Sequence, residues 1–194
     1  MTPPSSSPRP APGAPPPPAG SVAYPLDALY ARHGRALPPL DVVEGAALPE
    51  PARSLLVHER DMTSTLEQFH GAGIHLRVLG HERHGEDYFR EVVLELDGTH
   101  RPVEFGAIVI HLDRFSAAAQ AAILEGRFPL GHVLREHRVP YQSRPQAFLR
   151  VASDPFINDL LGLQGAHVLY GRRNTLLDPR GRPLAQIVEI LPPA

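Results

Sequence analysis

Three strand-type runs separated by short turn-forming stretches are the strongest constraint on how this chain can fold. "IHLRVLGHERH" opens with apolar residues at alternate positions, Ile74, Leu76 and Val78, which is the period of a half-buried strand. "YFREVVLELDG" carries a second run through Phe89, Val92, Leu94 and Leu96 and stops at Asp97-Gly98, a dipeptide suited to a tight turn. "RPVEFGAIVIHL" is a third run, rich in β-branched residues. Successive strands joined this closely pair antiparallel, because a parallel pair needs a crossover of a dozen residues or more.

Helical segments flank these runs. "DRFSAAAQAAILEGRF" reads as a helix capped by Ser116 and stopped by Gly126, and "PLGHVLREH" as a shorter one opened by Pro129. "YQSRPQAFLRVA" reads as a strand. "DPFINDLLG" is a helical turn with Asp154 as N-cap and Pro155 at its first position. The final runs form a hairpin about Asp178-Pro179-Arg180-Gly181. Upstream, "SLLVHERDMTSTLEQFHG" reads as one helix or a helix–turn–helix ending at Gly71. Thr63 or Ser64 is placed to cap its second part, with Glu67 reaching back. "YPLDALYARHG" is expected to form a short helix after Pro25. The sum is an α+β fold with a single antiparallel β-sheet and helices on one face or rim.

Residues 1–20 hold nine prolines, one charge (Arg9) and no large apolar residue after Met1, so a disordered leader is expected there. It lacks the continuous apolar stretch of a signal peptide. Residues 21–50 are expected to be a partly ordered proline-rich lead-in, and 51–194 the domain proper. No run approaches the roughly 18 apolar residues of a membrane helix. The formal charge of -2, with all 19 basic residues arginine and no like-charge run, gives no electrostatic case for nucleic acid. With no cysteine, disulfides and thiolate chemistry are excluded. The expectation is a cytoplasmic monomer with neither membrane nor nucleic-acid partner.

Eleven histidines invite a metal reading. The pair His81 and His84 in "HERH" lies before Gly85, where a solvated polar loop is expected, and a third ligand is not evident. His58 and His70 bracket the opening helix without a zinc motif. No metal is therefore expected. A phosphate-binding glycine loop and a Gly-x-Ser-x-Gly elbow are both missing. What remains is charge inside apolar strands. Arg90 shares a sheet face with Val92 and Leu94, and Glu189 shares one with Ile187 and Leu191. Inward charges of this kind require a partner or a ligand.

At these residues the sequence resembles a known family. "LLVHERDMTSTLEQFHG", "YFREVVLELDG", "FPLGHVL" and "YGRRNTLLDPRGRPLAQIVEILP" are similar, in order, to motifs of the chorismate lyases. The resemblance runs from about Ser54 to Pro192. It implies a sheet flanked by helices enclosing an internal ligand cavity, and removal of pyruvate from chorismate to leave 4-hydroxybenzoate, for quinone or secondary metabolism, without a cofactor. By the same resemblance Arg90 would hold the ring carboxylate and Glu189 the distal hydroxyl, both as catalytic residues. Met62, Leu130 and Gly131 would wall the site. One departure is Gly106-Ala107-Ile108, where the family continues Gly-Arg-Thr; Arg172 or Arg173 could stand in for the missing arginine. The alternative is a non-catalytic binding protein or sensor for a small aromatic carboxylate, since effector-binding domains of bacterial transcription regulators share this architecture.

Overall fold

The computed structural model describes residues 20–193. The leader expected to be disordered lies, but for Gly20, outside the described residues. Seven strands form one sheet in the order β1-β5-β6-β7-β4-β3-β2, with every neighbouring pair antiparallel. Two meanders make it up. The first is β2 (Ile74–His84), β3 (Asp87–Leu96) and β4 (Pro102–His111); the second is β5 (Gln142–Ala152), β6 (Val168–Leu177) and β7 (Pro183–Leu191). They join where β4 pairs with β7, and the short strand β1 (Leu40–Val43) closes the far edge on β5.

Helices cover both faces, not one face or rim. On one side lie α2 (Ala52–Leu56), α3 (Met62–His70), α4 (Ala117–Glu125) and α5 (Leu130–Glu136), packed on Leu94, Ile108, Leu176, Ile187 and Leu191. On the other lie α1 (Leu26–Arg32) and α6 (Pro155–Leu161), whose Leu26, Leu29, Ile157 and Leu161 pack on Val93, Phe105, Ala107 and Val188. Strands covered on both faces lose the buried–exposed alternation, and β3 and β4 are accordingly buried along nearly their whole length.

Local signals set the helix ends. Ser116 Oγ accepts from the Ala119 amide, and Asp154 accepts from Ile157 with Pro155 in the first turn. Gly71, Gly126 and Gly162 close their helices with left-handed φ. Two expectations need correcting. The cap of α3 is Asp61, not Thr63 or Ser64: its carboxylate accepts from the Ser64 amide at 2.9 Å, while Glu67 reaches to His132 at 2.9 Å instead of back to the cap. "HERH" is the end of β2, not a loop, with His81 opposite Arg90 and His84 opposite Asp87. An edge strand tolerates polar residues because β3 pairs one side of its backbone while the other side, and the exposed side chains, meet solvent.

Candidate functional site

The inward face of the β4–β7 seam forms a cavity floor, roofed by the start of α3 and the start of α5. About 510 Å³ of empty space lies here, counted out to its solvent-facing mouth. Met62, Arg90, Leu130, Gly131 and Glu189 all line it. The residues singled out from sequence are thus brought to one place, from four separate elements.

Register explains the floor. Arg90 stands opposite Ile108 on β4, Ile108 opposite Ile187 on β7, and Gly106 opposite Glu189. Arg90 and Glu189 therefore sit two strand spacings apart, roughly 9–10 Å laterally, with apolar floor between them. Gly106 keeps that floor open, since a Cβ there would meet Val92 Cγ2 at 3.0 Å and Glu104 Oε1 at 3.3 Å. In the roof, a Cβ on Gly131 would meet Asp61 Oδ1 at 2.6 Å and Thr63 Oγ1 at 2.9 Å, so α5 approaches the cap of α3 as closely as a glycine allows.

The two charges do not pair with each other. Glu189 accepts from Arg172 Nε, and the rest of the Arg172 guanidinium donates to the carbonyls of Leu56 (3.2 Å), His58 (3.1 Å) and Arg60 (3.2 Å). Arg172 is fully buried and fastens the loop between α2 and α3 to the sheet. His58 belongs to that clamp. Its Nε2 donates to the Leu55 carbonyl at 2.7 Å, leaving Nδ1 as the acceptor toward Arg172 and the Arg60 amide. Burial, then the Arg172 charge, pushes its pKa down to about 4, so it stays neutral.

Arg90 is only 2% exposed, yet its Nε and Nη1 have no hydrogen-bond partner among the described residues. Burial pushes its pKa down to about 10, which still leaves it charged at neutral pH. An ion buried without its bonds costs several kcal/mol. Its unmet donors are the chemical demand of this cavity.

Glu104 was not anticipated. It is 4% exposed, lines the same cavity from β4 and has a partnerless Oε2. Burial above all, then the neighbouring Glu189 and Asp61 carboxylates, push its pKa well above the ordinary value, outweighing Arg172. The carboxyl driven toward its proton-donating form is thus Glu104, beside a Glu189 already bonded to arginine. The signal was available: Glu104 alternates with Gly106 and Ile108, an inward charge in an apolar strand as much as Arg90 is.

The Ala107 departure is resolved by the sheet. Ala107 lies on the opposite face, buried with Leu26, Leu29 and Phe105, so a side chain there points away from this cavity. Arg172 is committed to Glu189 and three carbonyls and does not replace a missing anion anchor. Arg173, on the next residue of β6, takes the other face.

No family model matches this chain, and no curated protein matches it. Solved structures do share its fold. PhnF from Mycobacterium smegmatis matches with a TM-score of 0.55 at 12% identity, over 70% of this chain and 65% of that one. The separately solved effector domain of PhnF matches with a TM-score of 0.51 at 12% identity, over 68% and 87%. The chain has the fold of that effector domain. A ligand-binding domain of a GntR-family transcriptional regulator from Bordetella bronchiseptica also aligns, with a TM-score of 0.46 at 16% identity over 62% and 84%. The match spans about two thirds of PhnF's length, so PhnF's role as a whole protein does not transfer with the fold.

These findings correct the expectation of a chorismate pyruvate-lyase. The solved structure that shares this fold over most of its own length is an effector domain. The cavity agrees in physical terms. Chorismate carries two carboxylates, whereas Arg90 is the cation here with unmet donors, and the far end presents Glu104 and Glu189. A second carboxylate there would meet negative charge and not an anchor. Among the described residues no helix is long and apolar enough to cross a membrane.

Proposed function

We infer that this chain is a non-catalytic binding domain for a small monocarboxylate, an aromatic one with a hydrogen-bonding group opposite its carboxylate. The observation that carries this reading is Arg90: a buried guanidinium with two N–H-bearing nitrogens unpartnered at one end of a largely apolar cavity. A carboxylate supplies the charge and the acceptors that such a group lacks, in the planar fork geometry that arginine favours. Met62, Ile108, Leu130 and Ile187 line the cavity with apolar side chains against which a ring can pack. At the far end Glu104, pushed toward its neutral form, can donate to a hydroxyl or carbonyl oxygen, and Glu189 can accept from a hydroxyl. The effector-domain fold supports the same reading.

The test is calorimetric titration of the full chain with 4-hydroxybenzoate, benzoate and cyclohexanecarboxylate. Saturable one-to-one binding is expected, strongest for 4-hydroxybenzoate and at least tenfold weaker in Arg90→Gln. Incubation with chorismate is expected to release no pyruvate. Binding that ignores the Arg90 substitution, with the variant still folded, would sink the assignment.

A further inference from the structure

On the face of β3 opposite Arg90, where the strand runs into the Asp97-Gly98 turn, three potential metal ligands converge that the carboxylate cavity does not use. His75 on β2 stands directly across the ladder from Glu95 on β3, and His100 folds over them from the β3–β4 turn. His75 Nε2 lies 3.1 Å from Glu95 Oε2 and 3.1 Å from His100 Nδ1, and His100 Nδ1 lies 3.6 Å from Glu95 Oε2. A tetrahedral zinc ion with bonds of about 2.0–2.1 Å needs ligand atoms roughly 3.3–3.4 Å apart. The triangle is already of that size. Among the described residues this is the one group of three such side chains that meets in this way.

Three further features act on the triangle. His75 Nδ1 lies 3.0 Å from Asp97 Oδ1, the arrangement in which an outer carboxylate fixes the tautomer of a ligating histidine. Arg77 donates to the other oxygen of Glu95, orienting the carboxylate and leaving Oε2 toward the histidines. Finally, His100 has φ of 55°, a left-handed conformation uncommon for any residue but glycine. The turn holds its one non-glycine left-handed residue where that residue's ring completes the triangle.

We propose that His75, Glu95 and His100 form a zinc(II) site with an open fourth position, tying the β2–β3 ladder to the β3–β4 turn. Burial is graded as such a site requires: the Glu95 side chain is 8% exposed, His75 32% and His100 74%, so the ion is reached from solvent through His100. The site lies on the other side of the sheet from the cavity and stands whether or not a carboxylate binds there.

The experiment is titration of the chelator-stripped full chain with zinc chloride by calorimetry, with cobalt(II) as a spectroscopic probe of geometry. One equivalent is expected to bind, cobalt to give the intense visible bands of a tetrahedral complex, and zinc to raise the melting temperature. His100→Ala changes a largely exposed side chain and is expected to weaken binding at least tenfold. Asp97→Asn, which keeps the shape but weakens the orienting bond, is expected to weaken it by a factor of roughly ten or more. His84→Ala, at the other end of β2, is expected to leave it unchanged. Equal zinc affinity in His100→Ala, no defined stoichiometry, or no binding at all would each overturn the site and leave an ordinary His75–Glu95 ion pair.

Discussion

Arg172 and Glu189 face each other directly across the β6–β7 ladder, and the rest of the Arg172 guanidinium is taken up by three carbonyls of the segment that leads into α3. One side chain thus couples the cavity floor to its roof. It also sets the charge at the far end, because Glu189 stands as a bonded carboxylate beside Glu104.

Arg172→Ala leaves Glu189 a buried carboxylate without its cation and leaves three carbonyls without donors. The expected loss is about 3–5 kcal/mol of folding stability, read from urea denaturation midpoints. Pairing it with Glu189→Gln should recover part of that loss, since the two side chains share one interaction. Strictly additive losses would show that the ion pair is not what joins floor to roof.

Arg90 makes the opposite prediction. Its unmet donors destabilise the empty protein, so Arg90→Met should raise ligand-free stability by about 1–3 kcal/mol while weakening 4-hydroxybenzoate binding more than tenfold. Thermal melts with and without ligand separate the two effects. A variant less stable than the parent when empty would mean that Arg90 has a structural partner.

Glu104 gives the stability a pH dependence of definite sign. Its folded pKa lies above the ordinary 4.5, so the folded state holds a proton that the unfolded chain releases. That contribution is complete below about pH 4.5 and is lost as pH rises through the raised folded value. Carboxylates such as Glu95 act the other way: burial raises its pKa, but Arg77 and His75 outweigh burial and hold it low. The clean readout is therefore the difference between the parent and Glu104→Gln. The parent should lose ground to the variant as pH climbs above 4.5, and parallel stability curves from pH 4 to 9 would refute the assignment.

Gly131→Ala tests the roof. The added Cβ collides with Asp61 Oδ1, which is itself bonded to the Ser64 amide, so relief requires giving up the α3 cap or parting the helices. The expected cost is about 1–3 kcal/mol, measured by denaturation. A neutral result would show that α5 shifts freely over the cavity.

Much of this was legible in the chain because it is local. Ser116, Asp154, Gly71 and Gly126 mark helix ends through bonds and dihedrals within a few residues of themselves. Alternation alone put Arg90 with Val92 and Leu94 and Glu189 with Ile187 on apolar faces. Misreadings arose where a distant segment decides. "HERH" is polar enough for a loop until β3 supplies its ladder partners, and the cap of α3 moved to Asp61, whose carboxylate also accepts from Tyr141, 80 residues away.

The sequence by itself determined that there would be an antiparallel sheet, where several of its helices begin or end, and that an arginine and a glutamate would point inward from it. The tertiary structure alone decided what those charges meet. By setting β4 beside β7 it brought Glu104 next to Glu189, gave Glu189 to Arg172, left Arg90 unpaired and turned Ala107 to the opposite face. Backbone periodicity is fixed by neighbours in the chain, whereas the partner and the ionisation of a buried charge depend on which strands lie side by side.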